Sequence, residues 1–255
     1  MFVSAIVFIF AAVVVFFASP MLLASGEWQV RRPVSALNAW LGALGLGLIL
    51  TALGLIFMLV GALEADGGAN AVVLWTIGWI AMGGIGAVLA LVLKASGEFG
   101  DRVRVEVRAL RSRWIDWRID QNYRIITVDD DKPYAIAIPG SPPEICLSAG
   151  LHRILDESEC AAVIAHEKSH LRRRPALVLR IVTVNLACLP QRLAVSGKFR
   201  AAVLPLMEMI ADDDAVSVTS PKSVRSALER LGRANCDESL KLRALRLRRL
   251  HPEMG

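Results

Sequence analysis

The stretch LDESECAAVIAHEKSHLRRR, residues 155–174, is written as a helix with both ends marked. Asp156 stands where an N-cap belongs. Glu159, three residues on, completes a capping-box pair that satisfies backbone N–H groups of the first turn. Arg172, Arg173 and Arg174 gather at the negative end of the helix dipole, and Pro175 stops or kinks the helix there. Inside the helix lies His166-Glu167-Lys168-Ser169-His170. Residues four apart share a helix face, about 40° apart round the axis, so both imidazoles can turn to one Zn²⁺. Glu167, displaced towards that face, reaches a water on the metal rather than the metal itself. Lys168, two positions beyond His166, points away. Two neutral imidazoles and a carboxylate general base are the parts of a hydrolytic zinc centre. The competing reading is a helix that merely carries two histidines.

A third ligand discriminates between them, because a catalytic zinc with two histidines takes one more protein ligand, often glutamate. Downstream, LMEMIADDDAV (206–216) falls in a helix expected over 201–218 and offers Glu208, with Asp212 one turn later on the same face. Glu208 can bind the metal while Asp212 accepts a hydrogen bond from the outer nitrogen of a ligating histidine. Asp213 and Asp214 lie about 100° and 200° round from Asp212, towards solvent. Read alone, the same residues make an acidic surface turn.

The chain around this motif is apolar, 55% hydrophobic with a mean hydropathy of +0.49 over 255 residues. The excess sits at the start: before Lys94 only Glu27, Arg31, Arg32, Glu64 and Asp66 are charged. Uncharged runs cover 1–26, 33–63 and 67–93, each longer than the roughly 20 residues that cross about 30 Å of hydrocarbon. Three spans are expected, at about 1–24, 36–62 and 70–93. Their glycines and alanines suit close helix packing in a bilayer. The first run lacks a positive leading segment and is longer than a signal peptide's apolar stretch, so a retained anchor is expected. Arg31 and Arg32 follow the first run, acidic EADGG (64–68) follows the second, and Lys94, Arg102, Arg104, Arg108, Arg111 and Arg113 follow the third. Keeping basic residues inside puts the N-terminus outside and everything after Lys94 in the cytosol. The net charge of +5 fits anionic headgroups; no nucleic-acid-binding motif accompanies it. Cys146, Cys160, Cys188 and Cys236 contain no C-x-x-C pair and are expected as free thiols.

After a membrane region at 1–94, a connector at 95–121 alternates at first and then reads more helically. A catalytic domain at 122–255 completes the chain. It opens with three short strands: 125–128, 134–138 and 145–148, separated by turn residues. The run 176–190 is short for a span and suits a helix buried in the domain or lying at the membrane face. The tail from Ser223 reads as a basic amphipathic helix with a solvated face.

YAIAIPGSPPEICLSAGL (134–151), HEKSHLRRR (166–174) and EMIADDDAV (208–216) together resemble the gluzincin-type integral-membrane peptidases. The nearest group is the BlaR/MecR-type antibiotic-sensor peptidases, with the HtpX-type quality-control proteases more distant. The resemblance implies one Zn²⁺ per chain held by His166, His170 and Glu208, Glu167 as general base, and Asp212 beside the ligands. It also implies a substrate cleft lined by the strand bearing Tyr134, Ile136 and Ile138, where an extended peptide adds as a strand. Pro175 departs from the family pattern. The sensors' further span and penicillin-binding domain have no counterpart in this sequence, so β-lactam sensing is not expected.

The expected architecture is therefore membrane α-helical, three N-terminal spans, followed by an α+β gluzincin-like zinc peptidase domain. The expected function is a multi-pass plasma-membrane zinc endopeptidase, cutting a transcriptional repressor in regulated proteolysis or misfolded membrane protein. Its partners are a protein or peptide substrate and the lipid bilayer, with a homodimer allowed and no direct nucleic acid. A non-catalytic membrane scaffold with a vestigial zinc fold is the alternative. A transporter is disfavoured because the spans lack ionisable residues to form a pathway. For the oxyanion, Tyr134 and His152 are candidates by residue type.

Overall fold

α1 (Phe2–Leu23), a single turn α2 (Trp28–Arg31) and α3 (Pro33–Leu63) open the chain. The computed structural model describes residues 2–24, 27–64, part of 72–90, 113–173 and 194–252. The chain divides into two units, 1–99 with 179–204 and 100–178 with 205–255. In the first, α1 and α3 pack along each other. A β-carbon at Gly54 would lie 2.7 Å from Cγ1 of Ile9, so this approach is open only to glycine. The Phe8 and Phe57 rings meet at 5.4 Å between centroids, and Trp40 and Leu44 are fully buried.

Both helices, 22 and 31 residues long, are long and apolar enough to cross a membrane. Their outward faces stay apolar, with Val3, Ile6, Phe10, Met21 and Ile49 exposed, a surface costly in water and neutral among lipid tails. Half of the third expected span, 70–93, lies outside the described residues, and the two candidate spans are those found among the described ones. Those residues of 72–90 that are described are helical. Pro175, Cys188 and the run 176–190 also lie outside the described residues; Cys146, Cys160 and Cys236 are free thiols.

The second unit holds a four-stranded sheet, β1 (Trp114–Asp120), β2 (Tyr123–Val128), β3 (Ala135–Ile138) and β4 (Glu144–Ser148), in the order β1-β2-β4-β3. The three strands expected from the sequence are β2, β3 and β4. β1 is a correction, because the later part of the connector is a strand and not a helix. It pairs antiparallel with β2 from Trp114↔Val128 to Asp120↔Tyr123. Gln121, at a left-handed φ of 56°, turns the hairpin. β2 runs parallel to β4, and β4 antiparallel to the edge strand β3.

The helices that follow are α4 (Ala149–Ile154), α5 (Glu157–Arg173), α6 (Ala194–Val218), which belongs to this unit from Pro205 on, α7 (Pro221–Ala234) and α8 (Glu238–Leu250). The capping box of α5 is formed. Glu159 N donates to Asp156 Oδ1 and Asp156 N donates to Glu159 Oε2, both at 2.9 Å. Glu159 Oε1 also accepts from the Ser226 hydroxyl and lies 3.1 Å from Arg230 Nε, so the cap ties α5 to α7. One face of α5 reaches the sheet, where Ile164 joins Ile125, Ile145 and Leu147. The other carries Ala162 and Ala165 against Ala215, Val224, Leu228, Ala244 and Leu247. Each fully buried Ile, Leu or Val contributes about 1.5–3 kcal/mol, so burial on two sides, more than propensity, fixes α5.

The tail, read as one basic amphipathic helix, is two helices. Asn235 and Cys236, the latter at φ 53°, break it, and Asp237 recaps the chain through Ser239 N at 2.8 Å. Nor is α8's basic face simply solvated: Arg243 and Arg246 are only 9% and 4% exposed.

Candidate metal centre

α5 lies between the sheet and α6–α8, so side chains at its centre are largely but not wholly buried, with those of His166 and His170 13% and 18% exposed. His166 and His170, one turn apart, bring their Nε2 atoms to 3.1 Å, with the rings edge-to-face. Glu208 reaches in from α6. Its Oε2 is 3.4 Å from His166 Nε2 and its Oε1 3.4 Å from His170 Nε2. Among the described residues these three are the group whose donor atoms all lie within 4.8 Å of one another.

The spacing tests the fit of a metal. Zinc–nitrogen and zinc–oxygen bonds of about 2.0–2.2 Å in a tetrahedron put neighbouring donors about 3.3–3.6 Å apart. The two Glu208 distances of 3.4 Å fall in that range and the 3.1 Å between the imidazoles is slightly short of it, and the set of two imidazoles and one carboxylate is one zinc accepts.

Asp212, one turn past Glu208 and 1% exposed, places Oδ1 3.0 Å from His166 Nδ1. A carboxylate there accepts a hydrogen bond from Nδ1–H and leaves the Nε2 lone pair to the site. Burial opposes ionisation of Glu208, but hydrogen bonds from His166 and His170 and the Arg243 charge prevail and hold it well below the usual carboxylate range. Asp212 is likewise held low, against burial, by Arg243 and His166. Burial pulls the His166 imidazole down, but hydrogen bonds to Asp212 and Glu208 outweigh it, and the net result is a rise to about 9. A metal at Nε2 would compete with a proton for this cluster.

Glu167 is 9% exposed. Burial pushes its carboxyl pKa up, opposed by the His166 and His170 imidazoles and by the Ala137 backbone N–H of β3. It lines a cavity of about 210 Å³ with Tyr134, His166, Glu208, Asp212 and Arg243.

The other expected site residues divide. Tyr134 lines the cavity, although its hydroxyl donates to Asp130 Oδ2 at 3.4 Å. Ile138 packs with Ile126, Val128 and Cys146 on the sheet face away from α5. The two-residue period of a strand puts Ile136 on that face too, so it is the backbone of β3, not these two side chains, that can meet a substrate. His152 is not at the centre: its Nδ1 is 3.8 Å from Cys160 Sγ, and it lines a separate cavity with Arg118 and Lys168. Lys168 turns to Asp120 at 2.8 Å. Asp213 and Asp214 are not simply solvated: Asp213 pairs with Arg246 at 2.7 Å, and Asp214 with Arg173 at 2.7 Å and Ser169 at 2.5 Å.

Arg243 was not anticipated. Its signal in the sequence is its phase: it sits in the apolar stripe Leu240, Ala244, Leu247 of α8, where an arginine needs a buried partner.

The small mixed sheet, the two-histidine helix and the glutamate helix are compatible with a metallopeptidase centre, and residues 104–218 match the peptidase family M48. Among curated proteins, the chain is similar to a protease HtpX homolog of Acidiphilium cryptum, 44% identical over 66 residues, which are 25% of this chain and 23% of that protein. A protease HtpX homolog of Leuconostoc mesenteroides is 41% identical over 66 residues, 25% of this chain and 21% of that one. One from Caldanaerobacter subterraneus is 32% identical over 63 residues, 24% and 21% of the two chains. The chain thus spans under a quarter of the length of these curated relatives. No solved structure matches it. These matches support a metallopeptidase of the M48 type and, with the apolar N-terminal helices, a membrane protein.

Proposed function

We propose that this chain is a membrane-anchored zinc endopeptidase whose metal is held by His166, His170 and Glu208. The observation that carries the proposal is the spacing of three donors from two helices, close to the edge length of a zinc tetrahedron. When bound, zinc polarises the scissile carbonyl and supplies a water of pKa near 7. Glu167 takes a proton from the attacking water at its carboxylate and returns it to the leaving nitrogen. Its burial suits this relay, since a base tuned upwards works best near neutral pH. Asp212 keeps the His166 ring in one tautomer and orientation. β3, at the sheet edge, offers main-chain groups to an extended peptide. The substrate class is protein, either a transcriptional repressor in regulated proteolysis or misfolded membrane protein.

Full-length protein purified in detergent should contain about one zinc per chain and cleave a casein-type substrate. A chelator should abolish the cleavage and zinc should restore it. Metal retention with no proteolysis under any condition would favour the non-catalytic scaffold.

Orientation is part of the proposal. The basic residues that follow the first and third apolar runs place the N-terminus outside and the catalytic unit in the cytosol. A reporter fused after Gly255 should be active only in the cytoplasm, and a label on the 64–70 loop should react from outside. A C-terminal fusion active in the periplasm would reverse the orientation.

A further inference from the structure

α8 carries two buried arginines that clamp neighbouring aspartates of α6. Arg246 spans Asp213 with Nη1 and Nη2 at 2.8 and 2.7 Å. Arg243 spans Asp212 with Nε at 2.8 Å and Nη2 at 2.5 Å. Arg243 also reaches the donor residues: its Nη1 donates to Glu208 Oε2 at 2.8 Å, and its Nη2 lies 3.5 Å from His166 Nδ1. It touches two of the three donor residues and the aspartate that orients one of them. Residue 243 also lies outside the family match, which ends at 218.

We infer that Arg243 is a positioning residue that makes α8 part of the metal centre, so that docking of this helix and metal affinity are coupled. The inference rests on reading His166, His170 and Glu208 as the ligands. Glutamate is long and loses rotamer freedom when it ligates a metal; Arg243 removes that freedom beforehand by fixing Oε2. Its positive charge opposes a dication, but the Asp212 carboxylate matches it at contact distance, so the pair presents little net charge to the ligands. Without Arg243, Asp212 loses the two hydrogen bonds that fix its carboxylate and keeps only its contact with His166, so its hold on that ring loosens. Arg246 instead holds Asp213, which is 39% exposed so that water can take over that charge, and the Met209 carbonyl. Coupling is reciprocal, so whatever affinity α8 lends the metal, the metal returns to the docking of α8.

The test uses the full chain in detergent and two readouts other than proteolysis: zinc affinity by chelator competition, and hydrogen exchange of residues 238–250 with and without zinc. In the wild type, zinc should slow exchange across α8. Arg243→Lys keeps a charge but cannot span Asp212 and Glu208 together. It should lower zinc affinity about 10–100-fold, the usual loss when a ligand's hydrogen-bonding partner is removed, and abolish the zinc-dependent protection. Arg243→Ala should lose at least as much; if it does not fold, Arg243→Lys carries the test. Arg246→Ala should lower the melting temperature yet leave zinc affinity near wild type. Equal losses in Arg243→Lys and Arg246→Ala would show that α8 acts only as packing and overturn the inference, as would wild-type affinity in Arg243→Lys. His170→Ala separates the two levels, because undiminished zinc binding in that variant refutes the ligand assignment itself, whatever Arg243 does.

Discussion

Glu167→Gln should reduce proteolysis by about 10²–10⁴-fold, the usual contribution of a general base, while zinc stays near one per chain. The substitution preserves shape and removes only the proton acceptor. The amide oxygen can still accept the Ala137 N–H, and neither imidazole is touched. A carboxylate that merely filled the cavity would leave turnover intact on replacement by its amide. Unchanged activity would therefore sink the assignment of Glu167. Loss of zinc would instead mean that Glu167 holds the ligands in place and would move its role from chemistry to structure.

Glu208→Ala should have an equally large effect, on metal rather than turnover: most zinc lost, and activity with it. The substitution leaves two imidazoles, an incomplete set for a catalytic zinc. Asp212→Ala keeps all three donors but frees the His166 ring, and should weaken zinc about 10–100-fold. Asp213→Ala and Asp214→Ala should leave affinity near wild type. They should lower the melting temperature instead, because these carboxylates hold Arg246 and Arg173. Metal analysis that identified Asp213 or Asp214 as the zinc-critical residue would mean that the phase of α6 is misassigned.

What the sequence disclosed about the fold is what a few neighbouring residues encode. The capping box of Asp156 and Glu159 and the four-residue spacings His166–His170 and Glu208–Asp212 are local, and each could be read from helix geometry alone. β1 was partly legible, since Ile115, Trp117 and Ile119 alternate with Asp116, Arg118 and Asp120. The charge of the connector obscured that period, and what makes it a strand is pairing with β2 across a hairpin. Asp213 and Asp214 seemed solvated because their partners lie on other helices. Arg243 was hidden for the same reason. Its residue type suggests a surface, and its role appears only once the turn at Asn235–Asp237 folds α8 back. Half of the expected third span and the whole of the run at 176–190 lie outside the described residues.

The edge position of β3 bears on what such an enzyme would select. A strand that recognises its guest through amide and carbonyl groups is nearly indifferent to the side chains it reads. It does, however, require that the guest's own amides and carbonyls be unengaged over several residues. In a folded domain those groups are already committed to helices and sheets. Under the proposed activity, discrimination would then act on conformation before composition: a stable protein would be refused whatever its sequence, and the same chain would be admitted where a segment had come loose. Susceptibility would track the free energy of local opening in the victim, so that a destabilising substitution far from any cleaved bond could turn a bystander into a substrate.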